Sequence, residues 1–71
     1  MKITYDPEVD ALYIQFLDTT VTTEFLAEGI AADYDSVGNL AGFEIIDARK
    51  RLGGTQTFRQ ITLEDVGLIN A

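Results

Sequence analysis

The sequence predicts an α+β fold, mainly β: a five-stranded antiparallel meander, a short helix after the last strand, and a C-terminal tail covering one face. Three observations predict it. Apolar and polar residues alternate with period two over residues 2 to 46, the pattern of half-buried strands rather than of a helix. Turn-forming residues interrupt that alternation at roughly ten-residue intervals, the spacing of consecutive antiparallel strands. Beyond Ile46 the pattern gives way to a short polar run that ends on Gly53-Gly54.

Strands are expected at Lys2–Tyr5, Ala11–Leu17, Thr20–Leu26, Ile30–Tyr34 and Leu40–Ile46. The first break, Asp6-Pro7-Glu8-Val9, holds a proline at the second position of a type I turn, where its fixed φ is already correct. The others are Asp18-Thr19, Glu28-Gly29 and Ser36-Val37-Gly38-Asn39, rich in residues that set turn dihedrals or bond their own backbone. A two-residue loop at Asp18-Thr19 pairs Phe16 with Val21, Ile14 with Thr23 and Leu12 with Phe25. A two-residue loop at Glu28-Gly29 pairs Phe25 with Ala32 and Thr23 with Tyr34. A four-residue loop at 36–39 pairs Ala32 with Phe43 and Ile30 with Ile45. This register continues one apolar face over four strands, and a slip of one residue would turn a strand over. Glu28 is a poor first residue for a type I′ turn, and a three-residue loop with Gly29 left-handed would reverse the parity from that point.

Asp47-Ala48-Arg49-Lys50-Arg51-Leu52 reads as a short helix with Asp47 as N-cap, cations in its last turn and a glycine stop. Thr55–Gln60 is expected to be a polar connector or a further short strand. Thr62-Leu63-Glu64-Asp65-Val66-Gly67 reads as one capped helical turn leading to Leu68-Ile69.

The 71 residues form one small β-rich domain with an acidic balance, 12 carboxylates against 5 cations and a net charge of −7. Cysteine and histidine are absent, which excludes disulfides, zinc fingers, thiol nucleophiles and histidine-dependent triads. The anionic balance disfavours nucleic acid and favours a basic partner. No apolar window is long enough for a membrane span and the N-terminus lacks a leader pattern, so the expected location is the cytoplasm. A chain of this size buries little surface, and apolar residues on both faces call for a cover from residues 47–71 or from a second copy. The expectation is a homodimer.

Tyr5-Asp6-Pro7-Glu8-Val9-Asp10-Ala11-Leu12-Tyr13-Ile14, followed by Glu28-Gly29-Ile30, Asp33-Tyr34-Asp35, Gly38, Gly42, Glu44-Ile45 and Asp47-Ala48, resembles the bacterial domain of unknown function 2283. The resemblance spans residues 1–52 and leaves 53–71 as a C-terminal extension. It implies a small β-rich, stand-alone protein without established enzymatic activity. Some members are encoded beside small toxin-like proteins, which implies an antitoxin role for a subset.

The predicted register sets Glu24 opposite Asp33 and Ala31 opposite Glu44, with Asp35 two residues from Asp33. Glu24, Asp33, Asp35 and Glu44 are therefore the candidate partner-binding residues. Facing like charges destabilise a sheet, so the cluster calls for a countercharge: a basic protein partner, the chain's own Arg49-Lys50-Arg51, or a metal ion. The spacing D-x-D-x-x-G-x5-E over Asp33, Asp35, Gly38 and Glu44 matches a calcium loop. Val37 stands where an oxygen ligand is needed, however, and strands flank the segment. The leading expectation is a non-enzymatic acidic binding protein, antitoxin-like, with no cofactor and no catalytic residue. The alternative is calcium or magnesium binding, or a carboxylate-based enzyme, on the same four acids.

Overall fold

The structure, a computed structural model, describes residues 1–64. Its five strands are β1 (Lys2–Asp6), β2 (Ala11–Gln15), β3 (Thr22–Ala27), β4 (Ile30–Tyr34) and β5 (Leu40–Ile46). All pair antiparallel in one open sheet, and the short helix α1 (Ala48–Arg51) follows the last strand, as the alternation and the glycine stop predict. The strand order corrects the expected meander: it is β1-β2-β5-β4-β3, so β5 inserts between β2 and β4.

Turn chemistry explains the correction. A tight hairpin after β2 needs left-handed residues in its loop, and Asp18-Thr19 supplies no glycine or asparagine. Among the described residues the only non-glycine positive φ angles belong to Asp10 and Asp47. Residues 16–21 therefore cross to the far edge of the sheet instead of doubling back. β5 carries the anchor for this crossing. Asp33 pairs with Gly42 and Tyr34 with Leu40, leaving Ala41 as the extra residue of a bulge, whose carbonyl accepts the N–H groups of Phe16 at 2.8 Å and Leu17 at 3.0 Å.

The hairpins β3–β4 and β4–β5 exist as expected, but one has the other parity. In β4–β5, Ala32 faces Phe43, Ile30 faces Ile45 and Ala31 faces Glu44, all as predicted. In β3–β4, Phe25 faces Ala31, Glu24 faces Ala32 and Thr23 faces Asp33, with an irregularity between Phe25 and Ala27. Ala27 faces Ile30 across Glu28-Gly29, with Gly29 left-handed at φ 75°, so the loop has the expected two residues; Leu26 is the extra residue of the irregularity, and from Phe25 backward β3 is turned over. Phe25 consequently projects from the side opposite Phe43 and is 83% exposed. The expectation of one apolar face running through β3 does not hold.

Small residues occupy the buried centre. Among the described residues the buried apolar ones are Leu12, Ala31, Ala32, Ala41 and Ala48, and no large side chain is fully buried. Two devices close the sheet's ends. Asp35 accepts from the Val37 N–H at 3.0 Å and the Asn39 N–H at 2.8 Å, fixing the 36–39 loop by side-chain mimicry of a turn. Asp6 does the same for Glu8 at 3.0 Å beside Pro7. Asp47 corrects another expectation: it is left-handed and its side chain makes no cap bond to α1. Gly53 and Gly54 end the helix with positive φ, and a 3-10 turn spans Thr55–Phe58 rather than a strand. Residues 59–64 run exposed with no regular structure, Ile61 and Leu63 at 55% and 70%. They do not form the predicted helical turn, whose remainder, with Leu68-Ile69 and the rest of the covering tail, lies outside the described residues.

Gly42 is the tightest point of the sheet. A methyl group added there would meet the Tyr13 hydroxyl, lie 2.8 Å from the Tyr13 ring carbon Cζ, and lie 3.3 Å from the Ile14 carbonyl. Gly42→Ala should therefore displace the Tyr13 ring and cost about 1–3 kcal/mol, the usual range for overpacking. Urea unfolding checks this, and a variant as stable as the parent would contradict the placement of the ring.

Candidate functional site

The polar side chains fall into two connected groups and one turn. The first group crosses the sheet. Tyr13 on β2 lies over Gly42 of β5, and its hydroxyl donates to Asp33 Oδ2 on β4 at 2.8 Å. Thr23 on β3 donates from Oγ1 to Asp33 Oδ1 at 2.5 Å. Both oxygens of Asp33 are thus engaged, and three strands, β2, β3 and β4, are tied through one carboxylate across β5. Ring and carboxylate can meet only because the residue between them has no side chain.

The second group gathers on Asp10, which ends the β1–β2 turn with a left-handed φ of 53°. The Tyr5 hydroxyl donates to Asp10 Oδ1 at 2.6 Å. The Arg49 N–H reaches Oδ1 and Oδ2 at 3.1 and 3.3 Å, and the Arg49 Nε lies 3.3 Å from Oδ1. The Ala48 N–H donates to the Asp10 carbonyl at 3.0 Å. Asp10, 39 residues distant from Arg49 in the chain, therefore caps α1 in place of Asp47. A carboxylate meeting free N–H groups at a helix start is favourable in the ordinary way.

The four predicted site acids are not brought together. Asp33 and Glu44 share one side of the sheet, on adjacent strands. Glu24 faces Ala32 and lies on the other side, because β3 is turned over. Asp35 sits in the 36–39 turn, where Asn39 also donates from Nδ2 to Oδ2 at 2.9 Å. The predicted facing of Glu24 and Asp33 is replaced by Thr23 and Asp33, which removes a like-charge pair and supplies a hydrogen bond. Among the described residues, no group of three or more carboxylates lies close enough to hold a metal ion.

Arg49, Lys50 and Arg51 lie on α1, at the opposite end of the sheet from the 36–39 turn, whereas Lys2 pairs with Gln15 at the near end. Arg51 donates from Nε to the Ile46 carbonyl at 2.9 Å, and its guanidinium lies against Gly29. A shallow groove of about 330 Å³ is lined by Glu28, Asp47, Lys50 and Arg51. It is of mixed charge and open, without a nucleophile beside a base.

Sequence reading missed the roles of Tyr13 and Asp10. Tyr13 was legible only as a strand residue. A signal existed in Gly42, since a glycine in the interior of a strand marks a place where another group comes close.

The family model for a protein of unknown function (DUF2283) matches residues 2–49. The chain belongs to the DUF2283 family. No curated protein and no solved structure is significantly similar to it. The DUF2283 match takes in all five strands, both hydrogen-bonded groups and the Arg49 that Asp10 holds, and ends before Gly53-Gly54. The DUF2283 portion is thus the part that its polar side chains tie together.

These bonds displace proton affinities in defined directions. The Tyr5 hydroxyl, with the Arg49 N–H and guanidinium, holds Asp10 below the usual carboxylate range against a partial desolvation. Asn39, through its side chain and then its backbone, lowers Asp35. Tyr13 is raised because its hydroxyl donates to Asp33, with desolvation and the charges of Asp33 and Glu44 adding to it. Tyr5 is raised chiefly by its bond to Asp10. A lowered carboxylate contributes stability above its unfolded pKa of about 3.9, lost as pH falls through the lower folded value; a raised tyrosine contributes below about 10, lost as pH rises through the higher folded value. Stability should therefore be flat through neutrality and fall at both ends. Asp35→Asn should flatten the acid limb and Tyr13→Phe the alkaline one, read from unfolding midpoints across pH. Alkaline limbs of equal steepness in Tyr13→Phe and the parent would contradict the Tyr13–Asp33 bond.

Proposed function

We propose that this DUF2283 protein is a non-enzymatic interaction protein whose acidic surface docks a basic protein, in the manner of an antitoxin-like inhibitor. The observation that supports this is uncompensated charge. The chain carries a net −7, and among the described residues a single ion pair, Arg49 with Asp10, neutralises a carboxylate. Glu8, Asp18, Glu24, Glu28 and Asp47 stand at exposed positions, and Glu44 at a half-exposed one beside Asp33. Such a field steers a cationic partner and raises the rate of encounter more than the final affinity.

The division of labour among the acids supports the same reading. Asp10, Asp33 and Asp35 are occupied in holding the fold. Glu24 and Glu44 remain the candidates for partner contact from the original four, with Glu28 at the other end of β3. Exposed glutamates on a sheet recognise charge and surface shape; they do not enclose a small substrate, which needs a deep concave site.

Affinity capture from the native host at low and at high salt, followed by association kinetics with the purified partner, tests the proposal. The expected partner is a basic protein whose association slows about tenfold between low and physiological salt, as electrostatic steering requires. Glu28→Gln combined with Glu44→Gln should slow association severalfold without moving the unfolding midpoint. Binding that ignores salt and both substitutions would overturn the reading.

A further inference from the structure

Residues paired across antiparallel strands share a side of the sheet. The observed pairings place Ile3, Leu12, Ile14, Ile30, Phe43 and Ile45 together on one side, spanning β1, β2, β5 and β4 without interruption. On this side Leu12 is buried, Ile14, Ile30, Phe43 and Ile45 are half-buried and Ile3 is 39% exposed, and residues 59–64 are exposed.

The dimensions carry the same message. The Cα radius of gyration is 13.5 Å, where a compact chain of this length has about 11 Å. The accessible area is 5639 Å², where a compact monomer of this mass exposes about 4,400 Å². The surplus is drawn in part from the exposed C-terminal run, and a standard stable interface takes roughly 800 Å² from each partner.

Charge selects the occupant. Among the strand residues of this side one is a carboxylate, Glu24, on the edge strand β3, while Asp10 meets this side only at its end, where Tyr5 and Arg49 hold it. A basic partner finds nothing to pair with at the centre of such a surface. Two chains of charge −7 repel through most orientations, and this is the side on which they meet with least like charge. A symmetric pair needs a self-complementary patch, which an apolar sheet face provides.

We propose that two copies pack these faces together as a two-layer sandwich, the sheets about 10 Å apart, leaving Asp33 and Glu44 on the outer sides. This pairing does not depend on the basic-partner reading. The full 71-residue chain should sediment at twice its 7.8 kDa mass, and its thermal midpoint should rise with protein concentration, as mass action requires. In a sample mixed from labelled and unlabelled chains, intermolecular nuclear Overhauser contacts should reach the methyls of Ile14, Ile30 and Ile45 and the Phe43 ring. Ile3→Lys, at a half-open position on β1, should weaken the dimer at least about tenfold, while Phe25→Lys on the opposite side leaves it unchanged. A monomer at high micromolar concentration would overturn the proposal. So would contacts to these methyls from residues 65–71 of the same chain, or a dimer whose contacts run along the β3 edge.

Discussion

The insertion of β5 between β2 and β4 is the constraint on which the other features rest. Consecutive strands would have been tied by their turns alone. Here β2 and β4 come from distant parts of the chain and flank a third strand that is made last. What holds them in register besides the ladders is the bond from the Tyr13 hydroxyl to Asp33 across Gly42. Thr23 extends the tie to the edge strand. A buried or half-buried carboxylate is expensive unless its oxygens are satisfied, and Asp33 is satisfied by residues that only this strand order brings within reach. The polar tie and the topology therefore specify each other.

Asp10 plays the corresponding part at the end of the sheet. It closes the first hairpin, binds Tyr5 of the preceding strand, and caps the helix that follows the last strand. The beginning and end of the DUF2283 region are thereby joined at one residue. A four-residue helix has little stability of its own, since nucleation costs more than so few hydrogen bonds return. It persists because its first N–H groups meet a carboxylate and a carbonyl already held by the sheet.

Much of the fold was legible because its information is local. The β4–β5 hairpin closes one residue tighter than the expected four-residue loop, Asp35 bonding Asn39 and Tyr34 facing Leu40, and the bulge at Ala41 restores the register, so the pairs from Ile30 to Ala32 are those expected. The β4 and β5 limits were read correctly. The partner of β2 was not legible. Alternation says that a strand has a buried side and says nothing of which strand lies beside it; the decision rested on Asp18-Thr19, where a tight turn would have forced non-glycine residues into the left-handed region. The parity of β3 hung on one extra residue, Leu26, at the irregularity between Phe25 and Ala27. That one residue moved Phe25 and Glu24 to the sides opposite those expected and dissolved the four-acid cluster.

The turned-over edge strand has its own logic. β3 is exposed along its whole length, and an exposed edge offers its free N–H and C=O groups to any other strand. An inward-pointing charge is one of the few ways a sequence discourages such pairing. Glu24, on the apolar side and beside Ala32, is so placed. In the expected register that position would have held Phe25, and the edge would have been continuous with the apolar face. The flip therefore confines the apolar surface to the middle of the sheet and sets a carboxylate at its border. A face bounded in this way admits a partner sheet lying on top of it and discourages one adding to its edge. In the proposed pairing, the same residue that fails as a member of an acidic cluster would act through its position at the rim and not through a ligand it holds.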